Sequence, residues 1–232
     1  MNPGYIVFTD GSVRRWTDPS GKSMDAGSYG VVALDLSTMK YTKFGGRLNC
    51  KSAAYAEAWA IWRGLQYING VCMRREEEPS VLVVTDSKIN YEALSKYIKG
   101  SWDLSDWANW KKSSGGSVKN QDLYRNILTL IGTNGIKWRV VHVNSHLKES
   151  DYPHVMTQLR QAGVSVDERT AKLFIYMNRL ADEVASSITL KEKNMERSEY
   201  GGRGRLKWEL VRTARSADKK RPASVKQLAA NL

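Results

Sequence analysis

Ile6-Val7-Phe8-Thr9-Asp10-Gly11-Ser12 sets the frame for the whole chain. An apolar run of the kind that makes a buried strand passes directly into an aspartate, a glycine and a serine. A carboxylate at the exit of a buried strand is costly unless a cation or hydrogen-bond donors compensate it. Asp10 therefore reads as a turn residue or as a metal ligand. The choice depends on whether other carboxylates converge on it.

Working outward, Tyr5 to Thr9 reads as a first strand, followed by a polar connection from Arg14 to Gly27. Tyr29 to Leu34 and Tyr41 to Phe44 read as second and third strands, and the short link through Ser37-Thr38 predicts a hairpin. Ser52 suits an N-cap. Behind it Ala54, Ala58, Ile61, Leu65 and Ile68 recur at helical spacing, and Asn69-Gly70 reads as the stop. Val81-Leu82-Val83-Val84 is a continuous apolar run, as in a strand buried on both faces. It too ends in an aspartate, Thr85-Asp86-Ser87, before a helix expected from about Lys88 to Lys99. A tryptophan-rich basic stretch (Trp102, Trp107, Trp110, Lys111, Lys112) leads into a Ser-Ser-Gly-Gly turn. Asp122 to Ile131 is helical in pattern, and Ile136 to Val141 reads as the last strand. This order predicts an α/β fold with a mixed sheet, an antiparallel meander extended by parallel strands through crossover helices.

With 232 residues the chain is one large domain, or one domain with an appendage. The net charge of +12 is uneven: residues 191–232 hold 12 Lys and Arg against 5 Asp and Glu. Such a balance favours phosphate-rich partners, nucleic acid first, through counterion release. No run approaches the ~20 apolar residues of a membrane span, and Met1 to Tyr5 lacks the pattern of a signal peptide. Cys50 and Cys72 read as reduced thiols, and a cytoplasmic setting is expected.

Four carboxylates occupy telling places. Asp10 and Asp86 each follow a buried strand, and parallel neighbours would bring both to one sheet edge, where open α/β sheets bind ligands. Glu57 lies on the apolar stripe beside Ala54, Ala58 and Ile61, an awkward position for a solvated residue. Asp182 lies in Asn178-Arg179-Leu180-Ala181-Asp182-Glu183-Val184-Ala185, an amphipathic helix late in the chain. Like charges brought together raise each other's pKa or demand a cation. An all-oxygen ligand set suits a hard divalent ion such as Mg²⁺, and two such ions serve phosphodiester hydrolysis.

Phe8-Thr9-Asp10-Gly11-Ser12, Ala56-Glu57-Ala58, Val84-Thr85-Asp86-Ser87 and Asn178-Arg179-Leu180-Ala181-Asp182 stand in the order of type 1 ribonuclease H, which the chain resembles from about Tyr5 to Ser187. Ile136-Lys137-Trp138 through His142-Val143-Asn144-Ser145-His146 is similar to that family's last strand and catalytic-histidine loop. Asn109-Trp110-Lys111-Lys112 and Val118 to Tyr124 resemble its basic handle and the helix after it. The resemblance implies a five-stranded sheet of order 3-2-1-4-5 with helices on both faces. It implies that Asp10, Glu57, Asp86 and Asp182 hold two Mg²⁺ ions, with Mn²⁺ able to substitute and Asp10 between them, and that His146 serves proton transfer or product release. The implied reaction is cleavage of the RNA strand of an RNA–DNA hybrid by a monomeric enzyme, leaving 5′-phosphate and 3′-hydroxyl ends. Substrate contacts are implied at Gly11, Ser12, Ser52, Ser87, Trp107, Trp110, Lys111, Lys112, Asn120 and Asn178. On residue chemistry alone, the tryptophans read equally as core packing.

The sequence departs from that family in three places. Ala53 and Ala54 stand where amide side chains usually read the RNA strand, and Lys88 where a glutamine often follows Asp-Ser. Selectivity through the 2′-hydroxyl is therefore expected to rest on backbone contacts or to be relaxed. The handle, about 100–119, is rebuilt. The segment 147–177 is longer than the family's link, and its stretches 152–162 and 167–176 look partly helical, as a lid or added subdomain. A catalytic domain over 1–190 and a basic C-terminal extension over 191–232 complete the expected organisation; the extension reads as an auxiliary arm for duplex nucleic acid, as a helix packed back on the core, or as a solvated basic tail. Two other functions use the same residues: a DNA nuclease or strand transferase of the same fold, and a non-catalytic nucleic-acid-binding module.

Overall fold

The computed structural model describes residues 3–17, 20–50, 52–98, 100, 102–112 and 114–198, and of Met24, Ile98 and residues 190–198 the backbone alone. Most of the expected C-terminal extension, from residue 199 on, lies outside the described residues. Three antiparallel strands open the chain: β1 (Tyr5–Thr17), β2 (Ser23–Asp35) and β3 (Lys40–Leu48). Helix α1 (Ala53–Arg75) crosses to β4 (Ser80–Thr85), and α2 (Lys88–Ile98) and α3 (Gln121–Thr133) lead to β5 (Lys137–His142). Helices α4 (Tyr152–Gln161) and α5 (Glu168–Ser198) follow. The sheet order is β3-β2-β1-β4-β5, with β1 parallel to β4 and β4 parallel to β5. This is the mixed sheet that the sequence predicts.

Strand alternation divides the core into two layers. Val7, Val31, Val83 and Val140 meet Ile61, Leu65 and Ile68 of α1 and Leu123, Ile127 and Leu128 of α3 on one face. Ile6, Phe8, Val32, Leu34 and Val84 meet Val155 and Leu159 of α4 and Phe174, Leu180 and Ala181 of α5 on the other. The rings of Phe8 and Phe174 stand edge to face at 5.2 Å. Each side chain of this size, fully buried, contributes about 1.5–3 kcal/mol. Among the described residues no helix is long and apolar enough to cross a membrane.

Three expectations shift. The first strand does not stop at Thr9. It pairs with β2 as far as Thr17↔Ser23, so the stretch expected as a polar connection is mostly a hairpin. Asp10 is thus inside β1, at the point where the parallel partner β4 ends, since that pairing stops at Thr9↔Thr85. Helix α1 runs through Asn69-Gly70, because Cys72 is still buried in the core; it ends at left-handed Glu76, φ 56°. The stretch 167–176 belongs largely to α5: the Asp167 carboxylate accepts the Thr170 N–H at 2.8 Å, and the helix continues unbroken to Asp182 and beyond.

Candidate active site

The register sets the first pair of carboxylates. One step beyond Thr9↔Thr85 in the parallel ladder stand Asp10 and Asp86. Two glycines set the other pair. A Cβ on Gly11 would collide with the backbone of Ala56 and Glu57, so α1 rests directly on β1 there and Glu57 is held above it. Gly30 lies opposite Asp10 in the β1–β2 ladder, and a Cβ on it would collide with the Ala181 carbonyl. That close approach seats α5 on β2 and places Asp182 beside Asp10. All four carboxylates expected from the sequence are brought together around Asp10, which feels Asp86, Asp182 and Glu57.

Their mutual effect is large. Asp10 is 8% exposed, and its carboxyl is raised to about 8, by burial first and then by Asp86 and Asp182, against a hydrogen bond from the Gly11 N–H. Asp86 is raised to about 6, again by burial first, with Asp182 pushing the same way and His146 opposing. Glu57 is raised by burial and by Asp86, while a hydrogen bond from Ser87 holds it down. The buried Oδ1 of Asp86 and Oδ1 of Asn178 have no hydrogen-bond partner. Among the described residues no three Asp, Glu, His or Cys close up into a finished ligand cluster. An unpartnered carboxylate oxygen among like charges nevertheless fits a hard divalent cation, which supplies the missing countercharge.

His146 presents its Nδ1 to Asp182 Oδ2 at 3.9 Å, with 79% of its side chain exposed. Its backbone is left-handed, φ 54°, a conformation that non-glycine residues rarely adopt. Of the other histidines, His142 places Nε2 at 3.1 Å from the Asp86 carbonyl, and His154 lies on α4.

A supporting polar network was not foreseen from the sequence. Asn90, fully buried on α2, directs Nδ2 to Glu57 Oε2 at 3.2 Å, to the Ala54 carbonyl at 3.0 Å and to Ser87 Oγ at 2.8 Å. The Tyr124 hydroxyl of α3 donates to Asn90 Oδ1 at 2.5 Å. The one available signal was Asn90's place on the apolar side of a helix, one turn after Asp86.

The expected substrate contacts are more dispersed. Gly11 and Ser87 are at the carboxylates, while Ser12 Oγ meets Thr189 Oγ1 at 3.3 Å. Ser52 caps α1 by accepting the Tyr55 N–H at 3.4 Å. Asn120 precedes α3 in a left-handed conformation, φ 59°, with no side-chain capping bond. Asn178 is buried one turn before Asp182. In the handle the core reading holds for Trp110, which is 3% exposed, stacks on Trp102 at 4.8 Å and donates Nε1–H to the Asp103 carbonyl. Trp107 lies under the Arg125 guanidinium at 4.4 Å. Lys111 and Lys112 are exposed, at a turn closed by a Lys111↔Ser117 bridge.

The family profile described as RNase H matches residues 2–153. Ribonuclease HI of Neisseria meningitidis serogroup B is 25% identical over 138 residues, which cover 60% of this chain and 81% of that one. Ribonuclease H of Neorickettsia sennetsu is 24% identical over 147 residues, 62% of this chain and 85% of that one. Among solved structures, the PFV RNase H domain has a TM-score of 0.53 at 18% identity, covering 81% of this chain and 95% of that one. The foamy viral protease-reverse transcriptase in complex with RNA/DNA hybrid has a TM-score of 0.50 at 16% identity, covering 82% of this chain and 20% of that one. These structural likenesses show a shared fold, and they extend past the stretch the family profile matches.

Proposed function

Because the chain belongs to the RNase H family, we propose that it hydrolyses the RNA strand of RNA–DNA hybrids, leaving 5′-phosphate and 3′-hydroxyl ends. The observation that carries this reading is the convergence of Asp10, Glu57, Asp86 and Asp182 at the end of the parallel β1–β4 pair, with the Asp10 carboxyl raised to about 8. Asp10, Glu57, Asp86 and Asp182 would hold the divalent cations, Mg²⁺ with Mn²⁺ able to substitute. When bound, the ions supply positive charge for the scissile phosphate and make the attacking water more acidic.

The chain's own residues do the rest. The carboxylates of Asp10 and Asp86, costly when charged and unpaired, give the site its demand for cations. Asn90 and Tyr124 hold Glu57 in place. His146, exposed and turned to Asp182, takes up or releases a proton on its imidazole as the strand is cut and the product leaves. Lys111 and Lys112 give the phosphates of the DNA strand a basic contact, and the chain acts as a monomer in the cytoplasm.

The test is an RNA–DNA hybrid labelled separately on each strand, incubated with Mg²⁺ and the full chain. The RNA strand should be cut and the DNA strand left whole, and Asp10→Asn should abolish cutting. An intact hybrid beside cleaved duplex DNA would overturn the proposal in favour of a DNA nuclease, and hybrid bound but uncut would favour a binding module.

A further inference from the structure

The segment between β5 and α5 does more than lengthen the chain. Val143 closes β5: it is fully buried, and its N–H donates to the Thr85 carbonyl at 3.0 Å. Asn144 to His146 then turn outward into solvent. Helix α4, which follows, is not a free lid. Val155 and Leu159 are fully buried against β5 and α5. The helix is also tied at its end, where the Val164 N–H returns to the Leu159 carbonyl at 2.8 Å and an Arg139 guanidinium N–H from β5 reaches the Gly163 carbonyl at 3.3 Å.

From this fixed helix, two residues one turn apart reach back to the loop. His154 and Gln158 stand on one stripe of α4, at the i,i+4 spacing that places side chains over one another. The Gln158 amide pairs with Asn144 twice: its Nε2 donates to Asn144 Oδ1 at 3.0 Å, and its Oε1 accepts the Asn144 backbone N–H at 3.4 Å. The other half of the Asn144 amide, Nδ2, faces His154 Nε2 at 3.1 Å. Asn144 is thus held by its main chain and by both ends of its side chain. On the far side the Lys148 N–H donates to Asp151 Oδ2 at 2.8 Å. Between these two tethers lies His146, left-handed and 3.9 Å from Asp182.

We infer that α4 is a clamp on the histidine loop, and that Gln158 is a positioning residue acting on His146 through Asn144. This rests on the assignment of His146 to proton transfer in the proposed reaction. The clamp keeps His146 over Asp182 in a backbone conformation it would otherwise leave. The insertion then trades loop mobility for a prepared histidine.

The test has a readout that needs no substrate. In the metal-free full chain, amide hydrogen exchange at Asn144, whose N–H is accepted by Gln158 Oε1, should rise about tenfold in Gln158→Ala, because a net intramolecular hydrogen bond is worth roughly one decade in an opening equilibrium. Exchange in β1 and α1 should not change. Gln158→Glu, which keeps the acceptor for the Asn144 N–H and loses the donor to Oδ1, should fall between the two. Asn144→Ala, which keeps the backbone N–H bond to Gln158 and loses both side-chain contacts, should raise exchange at residue 144 by a smaller factor without touching α4. On a hybrid substrate, Gln158→Ala should lower kcat several-fold with KM unchanged. Unaltered exchange at residue 144 in both Gln158→Ala and Asn144→Ala would overturn the clamp. So would a rise spread evenly over the sheet in both variants, which would mark a structural role. If the wild type leaves hybrids uncut, the proposed reaction fails while exchange still decides the clamp.

Discussion

Replacing Asp10 by asparagine should stabilise the metal-free protein. Asp10 is 8% exposed, and its carboxyl is moved from 3.8 to about 8 by burial and by Asp86 and Asp182. A raised carboxyl means that the folded chain keeps a proton the unfolded chain has released. Stability therefore falls as pH rises between these two values and levels off above the upper one. At pH 7 the interval above 3.8 is about three units, which at ~1.4 kcal/mol per unit sets an upper bound of about 4 kcal/mol. The neighbouring carboxylates relax when one of them is neutral, so the expected gain for Asp10→Asn is about 2–4 kcal/mol. For a domain of this size that is roughly 5–15 °C in melting temperature. The assay is thermal unfolding in EDTA from pH 4 to pH 9. The difference between variant and wild type should be near zero at pH 4, grow through neutrality and level off above pH 8. Added Mg²⁺ should then raise the wild type more than the variant. A variant no more stable than wild type at pH 8, or a difference independent of pH, would refute the electrostatic account of the site.

Two further outcomes follow from the packing. Tyr124→Phe removes the donor to Asn90 Oδ1 and leaves a buried oxygen unsatisfied. It should cost about 1–3 kcal/mol in urea unfolding and slow hybrid cleavage several-fold, because Asn90 also holds Glu57. Gly30→Ala puts a methyl group into the Ala181 carbonyl, so α5 must lift. It should destabilise by about 1–3 kcal/mol and reduce cleavage by more than tenfold by moving Asp182, whereas Gly132→Ala, on an open face of α3, should leave cleavage unchanged and add up to about 1 kcal/mol of stability.

The sheet and its two helical layers were legible because apolar runs such as Val81 to Val84 and spaced apolar residues such as Ile61, Leu65 and Ile68 have few other uses. The outer half of the β1–β2 hairpin was not. Arg14 and Arg15 are exposed there, and Arg15 pairs with Asp25 at 2.7 Å. With Ala26 buried but Arg14, Arg15 and Thr17 exposed, the stretch lacks the alternation that announces a strand. Helix α1 outran its expected stop because a glycine inside a helix costs only about 1 kcal/mol, less than burying the turn that holds Cys72 returns. The four carboxylates were readable one by one from the elements they follow. Asn90 and Tyr124 were not, because a buried amide–hydroxyl pair leaves no periodic trace and is defined only when α2 and α3 meet. The role of α4 was hidden for the same reason: Gln158 and Asn144 are unremarkable in sequence and meet only in the fold.

In the proposed reaction the four clustered carboxylates would hold the divalent cations on which cleavage of the RNA strand depends. The most direct measurement is the single-turnover rate of RNA-strand cleavage in a labelled hybrid against Mg²⁺ concentration, for wild type, Asp10→Asn and Asp86→Asn, with the product ends identified. The wild type should show a saturable Mg²⁺ dependence and 3′-hydroxyl and 5′-phosphate ends, and both variants should lose cleavage by at least a hundredfold. Cleavage that persists in EDTA, or that survives in both variants at saturating Mg²⁺, would contradict the proposal.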